Sequence, residues 1–278
     1  MTIIRDQTVP IEIVPLRVPG QPTWFDRRRG WILGTSSVVG LLVLWQLLVG
    51  VLELASPLIL PPPLRITERL GQLLVNPEFW NDLQVSGIEL GVGFGLAIAV
   101  GLLLGLVMGW FKALEQISDP IVNFFNNTPR IALAPLFIIW FGIGIQSKIA
   151  FVFFGAVFPI VITTVAGVKN LDRQLLRAAR SFGASDLQLF RTVALPGAVP
   201  YIISGLRLAI AHAVAGVVIG EFIAAQAGIG VRIMRAAQVY DTATVFACVI
   251  VVAVVGMVLT GVLALLERRF QAWKPAKN

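Results

Sequence analysis

Residues 88–110 read IELGVGFGLAIAVGLLLGLVMGW, a run made almost wholly of apolar and small side chains. A helix needs roughly 20 such residues to cross a bilayer, so this stretch sets the class of the chain. Gly101, Gly105 and Gly109 recur every four residues, which stacks them on one helix face where a second helix can approach closely. Four more apolar runs lie at 31–54, 149–168, 202–225 and 246–266. The first of them exceeds the 7–15-residue core of a signal peptide and reads as a retained span. A sixth crossing, third in chain order, covers about 117–141. It is interrupted by Pro120, Pro129 and Pro135, by Asn126-Asn127 and by Arg130. Irregular backbone at membrane depth is tolerated only where protein buries it or a cavity is lined by it. The expectation is an all-α membrane protein of six transmembrane helices.

Composition agrees. Of 278 residues, 57% are hydrophobic and 13% charged, with mean hydropathy +0.85; soluble domains carry about 25% charged residues. The net charge of +7 would point to nucleic acid in a soluble protein. Here its distribution reads as topology. With six spans and both termini cytoplasmic, fifteen of the 22 Lys and Arg fall on the inner side and five on the outer side, with Arg130 and Arg207 inside spans. That is the positive-inside asymmetry. Residues 1–30, rich in proline and ending in Arg27-Arg28-Arg29, read as a cytoplasmic tail, 31–268 as the membrane domain and 269–278 as a basic C-terminal tail. The single cysteine, Cys248, and single histidine, His212, argue against a disulfide and against a metal centre. No GxxxxGK[ST] loop is present, so no Walker-type ATP site is expected in this chain.

Between the fourth and fifth spans lies a polar stretch, residues 171–196, LDRQLLRAARSFGASDLQLFRTVALP. It reads as two short helices hinged at Gly183, with Ser185 or Asp186 capping the second and Pro196 ending it. This stretch resembles the EAA loop of ATP-binding-cassette importer permeases: an acidic-Ala-Ala triplet, three residues, Gly, nine residues, Ile or Val, one residue, Leu-Pro. Ala178, Ala179, Gly183, Val193, Leu195 and Pro196 match in that spacing, and Arg177 stands where the family carries Glu. Residues 129–137 and 140–144, Gly205-Leu206-Arg207-Leu208-Ala209, Glu221 and residues 227–230 are similar to the branch that serves nitrate, taurine, aliphatic sulfonates and bicarbonate.

The resemblance implies a type I importer permease fold in a bacterial inner membrane, and a homodimeric pathway. It also implies a periplasmic or lipid-anchored binding protein that delivers cargo. Separate ATPase subunits would bind ATP and Mg, so this chain would hold no cofactor and would not itself be an enzyme. The loop would seat in the ATPase through Arg177, Ala178, Ala179, Phe182 and Gly183, with Val193, Leu195 and Pro196 at its base. The implied cargo is a small anion, sulfonate or taurine ahead of nitrate or bicarbonate, with aromatic acids, riboflavin or thiamine precursors as alternatives.

Ionisable groups inside spans are costly and count as functional candidates. Arg130 is either a cation facing an anionic substrate or an arginine that snorkels or bonds carbonyls freed by the prolines. Arg207 can snorkel to the cytoplasmic side. His212 is either a packed neutral ring or a pathway residue. Glu221 pairs with Arg232 or Arg235, or belongs to an outer gate. A gradient-driven transporter with broken helices is the rival from another class, although no duplicated half is visible. An intramembrane enzyme is disfavoured because no nucleophile–base pair, carboxylate pair or metal ligand set converges.

Overall fold

The computed structural model describes residues 24–224 and 226–270. Among these, every regular element is helical. The chain begins with α1 (Trp24–Trp45), prolonged by a π-helical turn over Gln46–Val51. Then come α2 (Pro63–Leu74), α3 (Pro77–Trp110), α4 (Lys112–Asn127), a 3-10 turn at Arg130–Leu133, α5 (Ala134–Phe141) and α6 (Ile145–Lys169). After α6 follow α7 (Arg173–Ser181), α8 (Asp186–Leu189), a π turn at Phe190–Ala194, α9 (Leu195–Ala224), α10 (Ile229–Gln238) and α11 (Thr242–Phe270). The N-terminal helix starts at Trp24, within the stretch read as a tail; the rest of that tail, and the C-terminal tail beyond 270, lie outside the described residues.

Five helical stretches are long and apolar enough to span a bilayer: Ile32–Val51, Pro77–Trp110, Ile145–Lys169, Asp186–Ile223 and Thr242–Glu267. The sixth crossing follows from packing. The glycine face of α3 lies against α6: a Cβ added at Gly93 would sit 2.7 Å from Val152 Cβ. At Gly101 it would be 2.9 Å from Ile160, at Gly105 2.6 Å from Thr164 and at Gly109 2.7 Å from Val168. Both numbers in each pair rise together, so α3 and α6 run parallel. Two parallel spans require the chain between them to cross back, which makes α4, the 3-10 turn and α5 a broken crossing. Alanines complete the seam, Ala97 on α3 and Ala156 on α6 both being fully buried. Small residues are what let two helix backbones come this close.

On its other side α6 packs antiparallel to α9. Gly167 abuts Tyr201 and Ala198, Gly155 abuts the His212 carbonyl, and Gly216 and Gly220 abut Val152 and Lys148. Helices α3, α6 and α9 therefore form one tightly seamed body, whose core includes Val152, Ile160, Val161, Ala209 and Ala213. A second core joins α2, the start of α3, α10 and α11 through Ile66, Phe79, Ile229, Ile233 and Ala247. Cys248 is packed in it as a small apolar residue.

Three sequence expectations change. Helix α3 starts at Pro77 rather than near 88, because Asn76 caps it by accepting from the Glu78 N–H and Pro77 fits the first turn. At roughly 51 Å for 34 residues it outreaches the hydrocarbon layer, and its first turns are polar. Gly228-Ile229-Gly230, whose two glycines read in the sequence as the start of a short loop, instead open a helix, α10. Pro196 does not end the second loop helix. Proline lacks an N–H and its ring clashes with the carbonyl four residues back; the widened π turn at Phe190–Ala194 absorbs it, so helix runs on from Asp186 into α9.

Candidate functional site

The loop at 171–196 is built as a rigid tip. Asp172 caps α7 by accepting from the Gln174 N–H at 2.7 Å. At the other end Gly183 has φ +78°. The Ala184 N–H donates to the Ala179 carbonyl at 3.2 Å and the Gly183 N–H to the Arg180 carbonyl at 2.9 Å. This is the glycine-terminated cap that closes a helix through a left-handed residue, and a side chain with a Cβ is strained there. Two residues on, Ser185 and Gln188 form a reciprocal capping box that starts α8. Ser185, one of the two expected caps, fills the role; Asp186 opens the first turn.

Of the loop residues singled out by sequence, Arg177, Ala178, Phe182 and Gly183 lie exposed on the tip, and Ala179 is half-buried behind them. Phe182 is 90% exposed, an unusual place for an aromatic ring on a water-facing loop. Val193, Leu195 and Pro196 belong to the π turn and the start of α9. The base is anchored where Leu189 is buried and Phe190 meets Trp110 edge-on at 5.3 Å, tying the loop to the end of α3. Lys169 at the end of α6 pairs with Glu115 of α4 at 2.5 Å.

The three span residues separate into two places. Arg130 and His212 meet: Arg130 Nη1 lies 2.8 Å from His212 Nδ1. Gly155 of α6 lies beside both, its missing Cβ leaving room against the His212 backbone and Arg130 Cδ. Arg130 thus bonds a ring nitrogen and not the backbone carbonyls expected after Pro129 and Pro135. Arg207 pairs with Glu267 of α11 at 2.7 Å, a structural tie.

Glu221 lies elsewhere, in a buried cluster near the end of α9. Ser86 donates to its Oε1 and the Gly230 N–H to its Oε2, both at 2.5 Å. Ser86 also accepts from the Ile229 N–H at 2.9 Å. Neither Arg232 nor Arg235 pairs with Glu221. Arg232 bonds Asp82 of α3 at 2.7 Å and Arg235 the Gln226 carbonyl; Asp82 also accepts from the Gly228 N–H, while Glu221 is taken up by Ser86 and the Gly230 N–H. Lys148, counted as an outer surface charge from sequence, is buried in an ion pair with Glu89. Asp82, Ser86 and Glu89 went unread in the sequence, and Lys148 was read only as an outer charge. Glu89 had a signal, an ionisable residue inside an apolar run; its partner 59 positions away had none.

The family of binding-protein-dependent transport system inner membrane components matches residues 97–272, which include the loop, Arg130, His212 and Glu221. The chain belongs to this family. A protein named as an aliphatic sulfonates transport permease, SsuC, of Bacillus subtilis is 35% identical over 89% of this chain and 90% of its own length. The taurine transport system permease protein TauC of Escherichia coli is 35% identical over 87% of this chain and 88% of its own. In solved structures, a chain of the inward-facing MetNI methionine ABC transporter superimposes with a TM-score of 0.62 at 20% identity, covering 75% of this chain and 99% of that one. The chain is therefore a multi-pass permease subunit of an ABC importer, a transport component and not an enzyme.

Proposed function

We propose that this permease forms half of the translocation pathway of an ATP-driven importer of small anions, with alkanesulfonates or taurine as cargo ahead of nitrate or bicarbonate. A second, identical copy completes the pathway in a bacterial inner membrane. A periplasmic or lipid-anchored binding protein delivers the anion, and partner ATPase subunits bind ATP and Mg. Both termini and the 171–196 loop face the cytoplasm, in keeping with the positive-inside count. The observation that carries this reading is the loop: a capped helix, a left-handed glycine and a bare aromatic, followed by α8, which runs without a break into α9. Arg177, Ala178, Ala179, Phe182 and Gly183 seat in the ATPase, and Val193, Leu195 and Pro196 pass its motion to α9. The sulfonate preference rests on the names of the relatives.

Growth of a deletion strain on taurine or an alkanesulfonate as sole sulfur source, with sulfate as control, tests the reading. The intact chain restores growth on the sulfonates, and Gly183→Pro does not, although it reaches the membrane. Growth of the deletion strain equal to the parent on every sulfonate, with no other uptake system for them, refutes the sulfonate assignment. Full rescue by Gly183→Pro refutes the role of the loop.

A further inference from the structure

Among the described residues, three of the Lys and Arg side chains on the crossing helices are neutralised by carboxylates, Lys169 at the end of α6 by Glu115. Lys148 pairs with Glu89 and Arg207 with Glu267. Arg130 is different: no described carboxylate lies within ion-pair distance, and its side-chain partner is an imidazole. A guanidinium stays charged in proteins and only donates. The His212 nitrogen facing it, Nδ1, is therefore the acceptor, which makes the ring neutral and puts its proton on Nε2. The pair presents only donors, the remaining guanidinium N–H groups and the imidazole Nε2–H, around one uncompensated positive charge. Both residues are half-buried, so part of each stays accessible beside the packed α6–α9 seam.

The location adds a second line of argument. Gly155, which lies against both residues, is the eleventh of the 25 residues of α6, close to the middle of the bilayer. Arg130 opens the 3-10 turn that interrupts the broken crossing. In secondary transporters, cargo sites lie near mid-depth where helices are discontinuous, and the broken crossing gives this chain the same local feature. An unpaired cation at that depth is costly, and an anion offsets the cost when it arrives.

We propose that Arg130 and His212 form an oxyanion-binding station in the pathway, where the guanidinium and the imidazole Nε2–H bind separate oxygens of a sulfonate, nitrate or bicarbonate group. This rests on the importer reading above and names the residues that would select the charge of the cargo. Gly155 lets the α9 backbone at His212 lie close against α6, with the Arg130 side chain alongside.

The test uses the permease co-purified with its ATPase and binding protein, reconstituted in proteoliposomes, with uptake of taurine, methanesulfonate, nitrate and bicarbonate measured in parallel. Arg130→Gln removes the charge and lowers uptake of whichever anion the intact complex carries by about tenfold or more, as expected for loss of a charged hydrogen bond. His212→Gln, which can keep an N–H donor at the same reach, retains more uptake than His212→Leu. Arg130→Lys keeps the charge and loses the planar fork, so it assembles even if Arg130→Gln does not, and it raises KM for the anion severalfold. An intact complex that imports none of the four anions overturns the anion reading and this site with it. Anion uptake by the intact complex with unchanged KM in Arg130→Lys, or unchanged uptake in an assembled Arg130→Gln complex, overturns the site alone.

Discussion

The α3–α6 seam makes a prediction in which one substitution has opposite signs on two faces of one helix. At Gly105 an added Cβ would lie 2.6 Å from Thr164 Cβ, 2.9 Å from its Cγ2 and 3.0 Å from the Val161 carbonyl. Real Cβ atoms do not approach that closely, and the atoms met are a branched side chain and backbone, neither able to swing aside. Gly105→Ala must push the helices apart, at the cost of about 1–3 kcal/mol typical of an overpacked core. At Gly95 a Cβ would meet nothing within 4 Å. Gly95→Ala therefore gains helix propensity alone, roughly 0.4–1 kcal/mol through the unfolded chain. The assay is thermal unfolding of the purified permease in detergent, followed by tryptophan fluorescence. At roughly 2–4 °C per kcal/mol for a chain of this size, Gly105→Ala lowers Tm by about 2–12 °C while Gly95→Ala leaves it level or raises it. Equal shifts for the two variants would refute the seam, and with it the parallel packing from which the sixth crossing was deduced.

Two further expectations come from the outer polar clusters. Ser86→Ala strips the donor from Glu221 Oε1 and the acceptor from the Ile229 N–H, both buried, and should cost about 1–3 kcal/mol per group left unsatisfied. Faster hydrogen exchange at residues 228–232 than in the intact protein would register it, and unchanged exchange there would refute it. Asp241, just outside α11, is pushed up by burial, but hydrogen bonds from Arg69 and Thr244 outweigh this and hold its pKa below the ordinary 3.8. A depressed carboxylate stabilises the fold above its unfolded pKa and loses that contribution as pH falls through the folded value. Melting temperatures recorded from pH 7 down to pH 3 should thus fall less steeply for Asp241→Asn than for the intact protein, and parallel curves would count against the Arg69–Asp241 tie.

What the sequence disclosed and what it hid divide by the range of the interaction. The four-residue spacing of Gly101, Gly105 and Gly109 announced a close helix contact, and the structure supplies α6 as the partner. The loop was legible because its caps are local: Asp172 with Gln174, Ser185 with Gln188, and Gly183 within six residues of what it closes. The early start of α3 was not legible, since its first turns leave the hydrocarbon layer and carry no apolar signal. Helix α10 did carry a helical pattern, Ile229, Ile233 and Ala236 on one buried face, but it is short and opens beside two glycines that read as a loop. An ion pair with Arg232 or Arg235 was one of two readings of Glu221, resting on proximity in sequence, yet Asp82, some 150 positions before Arg232, holds that arginine. Pairings of that span depend on how helices are arranged, which no single-helix pattern encodes.

The absorbed proline ties these parts together mechanically. A helix that stopped at Pro196 would leave the loop tip on a hinge, free to move without moving the membrane core. Because the π turn carries helix through from Asp186, the tip is fixed to α9, and His212 lies about 39 Å further along the same helix. The glycine seams bind α9 to α6 and α6 to α3 backbone against side chain, leaving little room for those three to slide independently. Force reaching Phe182 would therefore move α3, α6 and α9 together, and the compliant element is the broken crossing, whose helix is interrupted between Asn127 and Ala134. Arg130 sits on that interruption and His212 on the rigid body. Their contact joins the broken crossing to the seamed body, so under the proposal above, a loop that shifts α9 against the broken crossing would open and close this contact, catching and releasing the anion that bridges it.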